Sequence, residues 1–217
     1  EGKSYEGWIE AADDAANSNL RVTLSPVLIP VLARVVSRLK KLFDTDCRPE
    51  DVSSVLGPLA DTVPGLRVPG CFDPFEVAAR AVLGQQITVK AARTLATRLV
   101  AALGTGMEEP SPFASLRRVF PTPEAILGAS DDMLGGMGIV KTRMKALRAL
   151  AEFSLSGGLN PKADIGRQIE DLKRLPGIGD WTAQYIALRA LEWPDAFPHS
   201  DFGLKAATGM KPDELLK

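Results

Sequence analysis

The sequence predicts a mainly α-helical, multi-helix protein with a small α+β remnant at its N-terminus. From Asp73 onward almost every segment carries apolar residues at helical spacing and closes on Gly or Pro, whereas alternating apolar and polar residues occur only before Leu24. No alternation competes within the later segments, and neither a solenoid period nor a low-complexity tract interrupts them.

In chain order, Tyr5 to Ala12 and Leu20 to Leu24 read as two short strands around the acidic, small-residue stretch Asp13 to Asn19. Two strands alone are marginally stable, so they are expected to be the remnant of a larger sheet. After Pro26, the run Val27 to Phe43 places Leu32, Val35, Val36, Leu39 and Leu42 on one face and predicts a helix. Asp51 to Leu56 gives a short helical turn, and Pro64, Gly65, Pro69 and Gly70 mark a loop. Helices are then expected over Pro74–Leu83, Thr88–Leu103, Pro123–Leu127, Asp131–Leu134, Lys141–Ser154, Gly166–Arg174 and Asp180–Leu191. Their ends are marked: Asp73 and Thr122 stand before prolines that open helices, and Gly104 follows Leu103 as a terminator. The expected division is a partial N-terminal α+β domain over residues 1–45 and a helical domain over 46–217, the latter incomplete at its C-terminal end.

The 217 residues are 45% hydrophobic, 24% charged and 6% aromatic, enough for one large core or two modest ones in an ordinary soluble globular protein. Cys47 and Cys71 are too few and too far apart for a disulfide framework, a Cys-x-x-Cys metal site or an iron–sulfur cluster, which points to a reducing compartment. No apolar run reaches the roughly 18 residues of a membrane span, and Glu1-Gly2-Lys3-Ser4 is not a secretory leader. An intracellular protein is expected, with no membrane partner. A start without methionine and an uncapped end at Glu214-Leu215-Leu216-Lys217 read as a piece of a longer chain. Lys and Arg number 26 against 27 Asp and Glu, and a net charge of −1 counts against nucleic-acid binding. The distribution counts the other way: Lys141 to Arg148 (KTRMKALR) contains no acid, and Lys90, Arg93 and Arg98 recur at helical spacing. Each run is a candidate basic face and equally an ordinary solvated one.

The most informative stretch is Leu175-Pro176-Gly177-Ile178-Gly179, between a charged helix ending at Arg174 and another beginning at Asp180. Gly177 and Gly179 make a tight hairpin, can take conformations closed to other residues, and let another backbone approach. The hairpin opens into a helix whose first amides lack internal partners and together form an anion site of the size of a phosphate. Ile178 would peg the hairpin to the core, and the Thr182 hydroxyl could touch the same phosphate. A plain helix–helix turn is the competing reading of Pro-Gly-x-Gly.

About twenty residues on comes Phe197-Pro198-His199-Ser200-Asp201-Phe202-Gly203-Leu204-Lys205, with Asp201 at the start of a helix. Hydrolysis of an N-glycosidic bond passes through an oxocarbenium-like sugar, and one fixed carboxylate can stabilise that charge or orient the attacking water. No second acid is needed when the leaving base is already cationic, as an N-alkylated purine is. Asp201 is also a helix N-cap, and the two roles are compatible. Trp181 and Tyr185, four apart, share a helix face that could hold a cationic base, or simply pack in the core. His199 is assigned no role.

These residues resemble the helix-hairpin-helix DNA glycosylase superfamily and, within it, the 3-methyladenine DNA glycosylase II family. The resemblance runs from about Leu20 to the end and rests on LRVPGCFD (Leu66 to Asp73), AVLGQQ (Ala81 to Gln86), FPTP (Phe120 to Pro123), LPGIGDWTAQYIALRA (Leu175 to Ala190) and Phe-Pro-x-x-Asp at Phe197 to Asp201. It implies a helix-hairpin-helix glycosylase domain that hydrolyses the N-glycosidic bond of alkylated purines, of the 3-methyladenine and 7-methylguanine type, in base excision repair. Asp201 would be the catalytic aspartate. Gly177, Ile178, Gly179 and Thr182 would hold a DNA phosphate, and Trp181 and Tyr185 would line the base pocket. Gln86 falls where the family inserts a side chain into the gap left by the flipped base. Members that also cut the strand carry a lysine where this chain has Trp181, so no lyase activity is expected. The implied partner is double-stranded DNA with alkylated bases, bound by a monomer in the bacterial cytoplasm. No small-molecule cofactor is implied, and only a monovalent cation could sit at the hairpin–phosphate contact. On the residues alone, a non-catalytic helix-hairpin-helix DNA-binding module and a helical partner-binding domain remain alternatives.

Overall fold

A computed structural model describes residues 5–216. At its N-terminal end, β1 (Ile9–Asp14) pairs antiparallel with β2 (Asn19–Leu24), from Ile9 opposite Leu24 to Asp14 opposite Asn19. The strand expected over Tyr5 to Ala12 is therefore displaced toward the turn. The acidic stretch is not all connection, because Asp13 and Asp14 belong to the ladder. The link contracts to a 3-10 turn at Ala15–Asn17 closed by Ser18 in the left-handed region, and the Asn17 amide donates to both Asp14 carboxylate oxygens. Among the described residues these two strands are the only sheet.

The helix expected over Val27 to Phe43 divides in two. Pro30 has no amide hydrogen to give an α-helical ladder, so Pro26–Val31 is a 3-10 segment and α1 begins only at Leu32, running to Phe43. Of its predicted apolar face, Val35 and Leu39 are buried, whereas Leu32 and Val36 are more than two-fifths exposed. The small core they join, with Leu28, Ile9, Leu24 and Phe72, covers only a narrow stripe of α1. The short turn predicted near Asp51 is α2 (Pro49–Leu56), followed by one further turn, α3 (Pro58–Asp61).

All seven helices predicted beyond Asp73 are present, their ends within one or two residues of the expectation: α4 (Pro74–Leu83), α5 (Val89–Leu103), α6 (Pro123–Gly128), α7 (Asp131–Gly136), α8 (Lys141–Leu155), α9 (Ile165–Arg174) and α10 (Asp180–Ala190). The start signals work as bonds: Asp73 accepts from the Phe75 amide, Thr88 from Ala91 and Thr122 from Ala125. Gly104 ends α5 in an extended conformation, and its role is steric, since a Cβ there would lie 2.5 Å from the Val119 carbonyl oxygen. Two short helices, α11 (Phe202–Thr208) and α12 (Pro212–Leu215), complete the described chain.

The main core is centred on α4, which packs against α8 and α10. Small residues make that approach close: Ala78, Ala79, Ala146, Ala151, Ala183 and Ala187 are all fully buried. This packing brings the Gly84–Ile87 segment after α4 beside the hairpin that precedes α10, so the ends of two buried helices are held together at the surface.

Candidate active site

Where these ends meet lies an open cleft of roughly 830 Å³ bordered by Gln86, Gly177, Gly179, Trp181, Thr182 and Asp201. Six of the eight residues singled out in the sequence thus share one surface. Ile178 is 4% exposed and acts as the expected peg beneath the hairpin, and Tyr185 lies one helical turn behind Trp181, off the cleft.

The two hairpin glycines differ in what they require. Gly177 is left-handed at φ +78, where a Cβ would press on Ala146 at 3.2 Å. Gly179 has an ordinary backbone (φ −87) and a Cβ there would meet nothing within 4 Å, so its lack of a side chain matters only to something arriving from outside. The idea that both glycines take conformations closed to other residues is thus corrected for Gly179. The first helical bond of α10 runs from the Ala183 amide to the Gly179 carbonyl at 3.0 Å, which leaves the preceding amides without helical partners at the cleft.

Thr182 was expected to offer its hydroxyl to a phosphate. It is 4% exposed, and its oxygen accepts from Gln85 Nε2 at 3.0 Å, because this part of the first turn faces the end of α4. Gln85 Nε2 also donates to the Gly177 carbonyl at 2.8 Å, while Arg143 donates to the Gln85 carbonyl at 2.5 Å. The neighbouring Gln86 is exposed and holds φ +54, a left-handed conformation uncommon for a residue with a side chain.

Asp201 is the N-cap of α11, its Oδ1 accepting from the Gly203 amide at 2.7 Å and the Leu204 amide at 3.2 Å. Its Oδ2 accepts from the Trp181 indole Nε1 at 2.8 Å. The Trp181 and Tyr185 rings stack nearly parallel, 5.2 Å between centroids at 15°. Both rings line a cavity of about 440 Å³ with Arg80 and Arg93, and Trp181 also borders the adjoining cleft that holds Asp201. The Arg189 guanidinium lies 5.8 Å from the Tyr185 ring centroid. His199 Nδ1 stands 3.6 Å from Asp180 Oδ2, linking the Asp201 segment to the first residue of α10.

The basic runs separate as well. Within Lys141 to Arg148, Arg143 turns to Gln85 and Arg148 to the Ala129 carbonyl and Asp131, leaving Lys141 and Lys145 as its exposed cations, so this run is not one basic face. Lys90, Arg93 and Arg98 do share an exposed face of α5.

Gln85, Arg143 and Phe202 border the cleft without having been singled out. Phe202 had a legible signal, an apolar ring directly after the candidate acid, and it is 84% exposed. Gln85 and Arg143 had none, because their partners lie 92 and 58 residues away.

A family model of the AlkA N-terminal domain matches residues 1–73, and one of the HhH-GPD superfamily base excision DNA repair proteins matches residues 79–210. The chain is 36% identical over 214 residues to DNA-3-methyladenine glycosylase 2 of Escherichia coli, covering 97% of this chain and 74% of that protein. It is 38% identical over 186 residues to a probable bifunctional transcriptional activator/DNA repair enzyme AlkA of Mycobacterium tuberculosis, spanning 81% of this chain and 36% of that protein. The solved 3-methyladenine DNA glycosylase from Archaeoglobus fulgidus shares the fold, with a TM-score of 0.79 at 22% identity over 96% of this chain and 74% of that one.

Proposed function

The chain belongs to the HhH-GPD superfamily of base excision DNA repair proteins, and from that premise we propose that it is a monofunctional DNA glycosylase for alkylated purines, with Asp201 as its catalytic carboxylate. The observation that carries the reading is one of placement: Asp201, held by three hydrogen bonds, borders the same cleft as the hairpin glycines.

A purine alkylated on a ring nitrogen is cationic. When its bond to C1′ breaks, the electron pair returns to the ring and a neutral base departs, so no general acid is required. The sugar left behind is oxocarbenium-like, and the Asp201 carboxylate stabilises its positive charge and orients the water whose oxygen bonds to C1′ while one of its protons is released to solvent. Because the carboxylate is already fixed, it does this without reorganisation as charge develops. The glycosidic bond is out of reach inside a base stack, so the nucleotide must be everted, with Gln86 filling the gap and the hairpin amides gripping the backbone. Trp181 and Phe202 offer aromatic faces at the cleft to the everted base.

With tryptophan at position 181, no Schiff base can form there, and the abasic product strand is left uncut. A cation at the hairpin–phosphate contact would be held by hairpin backbone carbonyls and the phosphate, a ligand set that suits a weakly held monovalent ion. We take the enzyme to act as a monomer inside the bacterial cell, where its substrate is.

Asp201→Asn should reduce base release from methylated duplex DNA by roughly 10²–10³-fold while DNA affinity is kept. Unchanged release would remove Asp201 from the chemistry. Salt-dependent binding by the unaltered chain, with no release from any lesion, would make it a DNA-binding module instead.

A further inference from the structure

We propose that Trp181 is a positioning residue for Asp201, its indole N–H holding Oδ2 so that the carboxylate presents one fixed edge to the sugar. The proposal rests on the glycosylase reading above and adds a role to Trp181 distinct from lining a base pocket.

The two backbone amides at the start of α11 both converge on Oδ1, at 2.7 and 3.2 Å. They fix that oxygen and leave the carboxylate free to tilt about it. The indole bond at 2.8 Å, made from a residue 20 positions earlier, is what restrains the second oxygen. An indole N–H only donates, so it holds the ionised carboxylate without competing for a proton. Its direction is in turn fixed by the parallel stack on Tyr185, whose other neighbour is the Arg189 guanidinium.

The same helix also grips the far end of the acid's segment. Gln184, three residues after Trp181, accepts the Phe197 amide at 3.2 Å. Since α10 starts from the hairpin, and Gln85 bonds both Gly177 and Thr182, the backbone-gripping corner is fixed to the helix whose Trp181 and Gln184 hold the Asp201 segment. A strand anchored at the hairpin therefore presents its neighbouring sugar to an acid whose angle is set by that same helix.

The role through Asp201 and any role in stacking on a base separate in Trp181→Phe, which keeps an aromatic ring over Tyr185 and removes the donor. Single-turnover base release should slow by roughly 10- to 100-fold, the effect of losing a hydrogen bond to a charged group, with affinity for duplex holding an abasic analogue unchanged within about twofold. The loss should be the same factor for lesions of different base shape. In an Asp201→Asn background, measured on the lesion with the best leaving group, Trp181→Phe should cause no further slowing, because the group it acts through is already removed. Tyr185→Leu, which frees the indole from its stack, should behave alike with a smaller factor and carries the test if the Phe variant folds poorly. Wild-type rates in Trp181→Phe, or an equal slowing in both backgrounds, would overturn the proposal. Absence of release by the wild-type chain would instead overturn the glycosylase reading.

Discussion

Gln86 sits in left-handed backbone at φ +54, which costs an L-residue about 1–2 kcal/mol. Nothing in the core demands the side chain, which is exposed at the cleft. Gln86→Gly should therefore raise stability by about 1 kcal/mol in urea unfolding and, on the gap-filling role proposed for it, slow base release from fully paired duplex. Faster or unchanged release would show that this side chain has no part in eversion. At this scale the place of Asp201 was legible and its hydrogen-bond partners across the fold were not. Asp201 follows a proline-fixed approach and opens a helix, a purely local pattern. The bonds from Gln85 and Arg143 depend on residues far along the chain that only packing brings near.

The hairpin between α9 and α10 shows what an element adds to its residues. Gly177 needs glycine for its own backbone and for Ala146, while Gly179 has open space where a side chain would point. Gly177→Ala should lose about 1 kcal/mol or more of stability. Gly179→Ala should melt with the unaltered protein and bind DNA more weakly, since its methyl group stands where a backbone would approach. Thermal melts and DNA titrations of both variants check this; a destabilised Gly179→Ala that binds normally would contradict it. Elements with strong termini were readable throughout the helical region, where Asp73, Thr88 and Thr122 cap helices as their types suggest. The N-terminal elements were read less well: Pro30 split one predicted helix, and the strand pairing followed the tight turn at Ala15–Asn17 instead of the apolar alternation.

Across the whole molecule two cores meet near one residue. Cys71 belongs to the large core and its neighbour Phe72 packs on the small one. Burial, with Asp73 and Glu192 nearby, pushes the Cys71 thiol up from 9.0 to about 11. Below pH 9 the thiol is neutral folded or unfolded; above it only the unfolded chain ionises freely, so stability should fall between pH 9 and about 11, by about 3 kcal/mol. Cys71→Ala should flatten that part of a stability–pH profile, and an unchanged slope would assign it to other groups. Charge at this scale is misleading when counted: with a net −1, Arg98, Arg143 and Arg148 bond distant backbone carbonyls, while Lys90 and Arg93 stay exposed along α5.

The order of helices, the hairpin and the helix-capping place of Asp201 were determined by sequence alone, because caps, glycines and apolar spacing act between residues a few positions apart. Tertiary structure decided the rest: that Gly177, Gln86 and Asp201 border one cleft, that Thr182 faces Gln85, and that an indole holds the carboxylate. Those outcomes depend on how closely α4, α8 and α10 pack, and that distance is set by many small buried side chains at once, which no local pattern records.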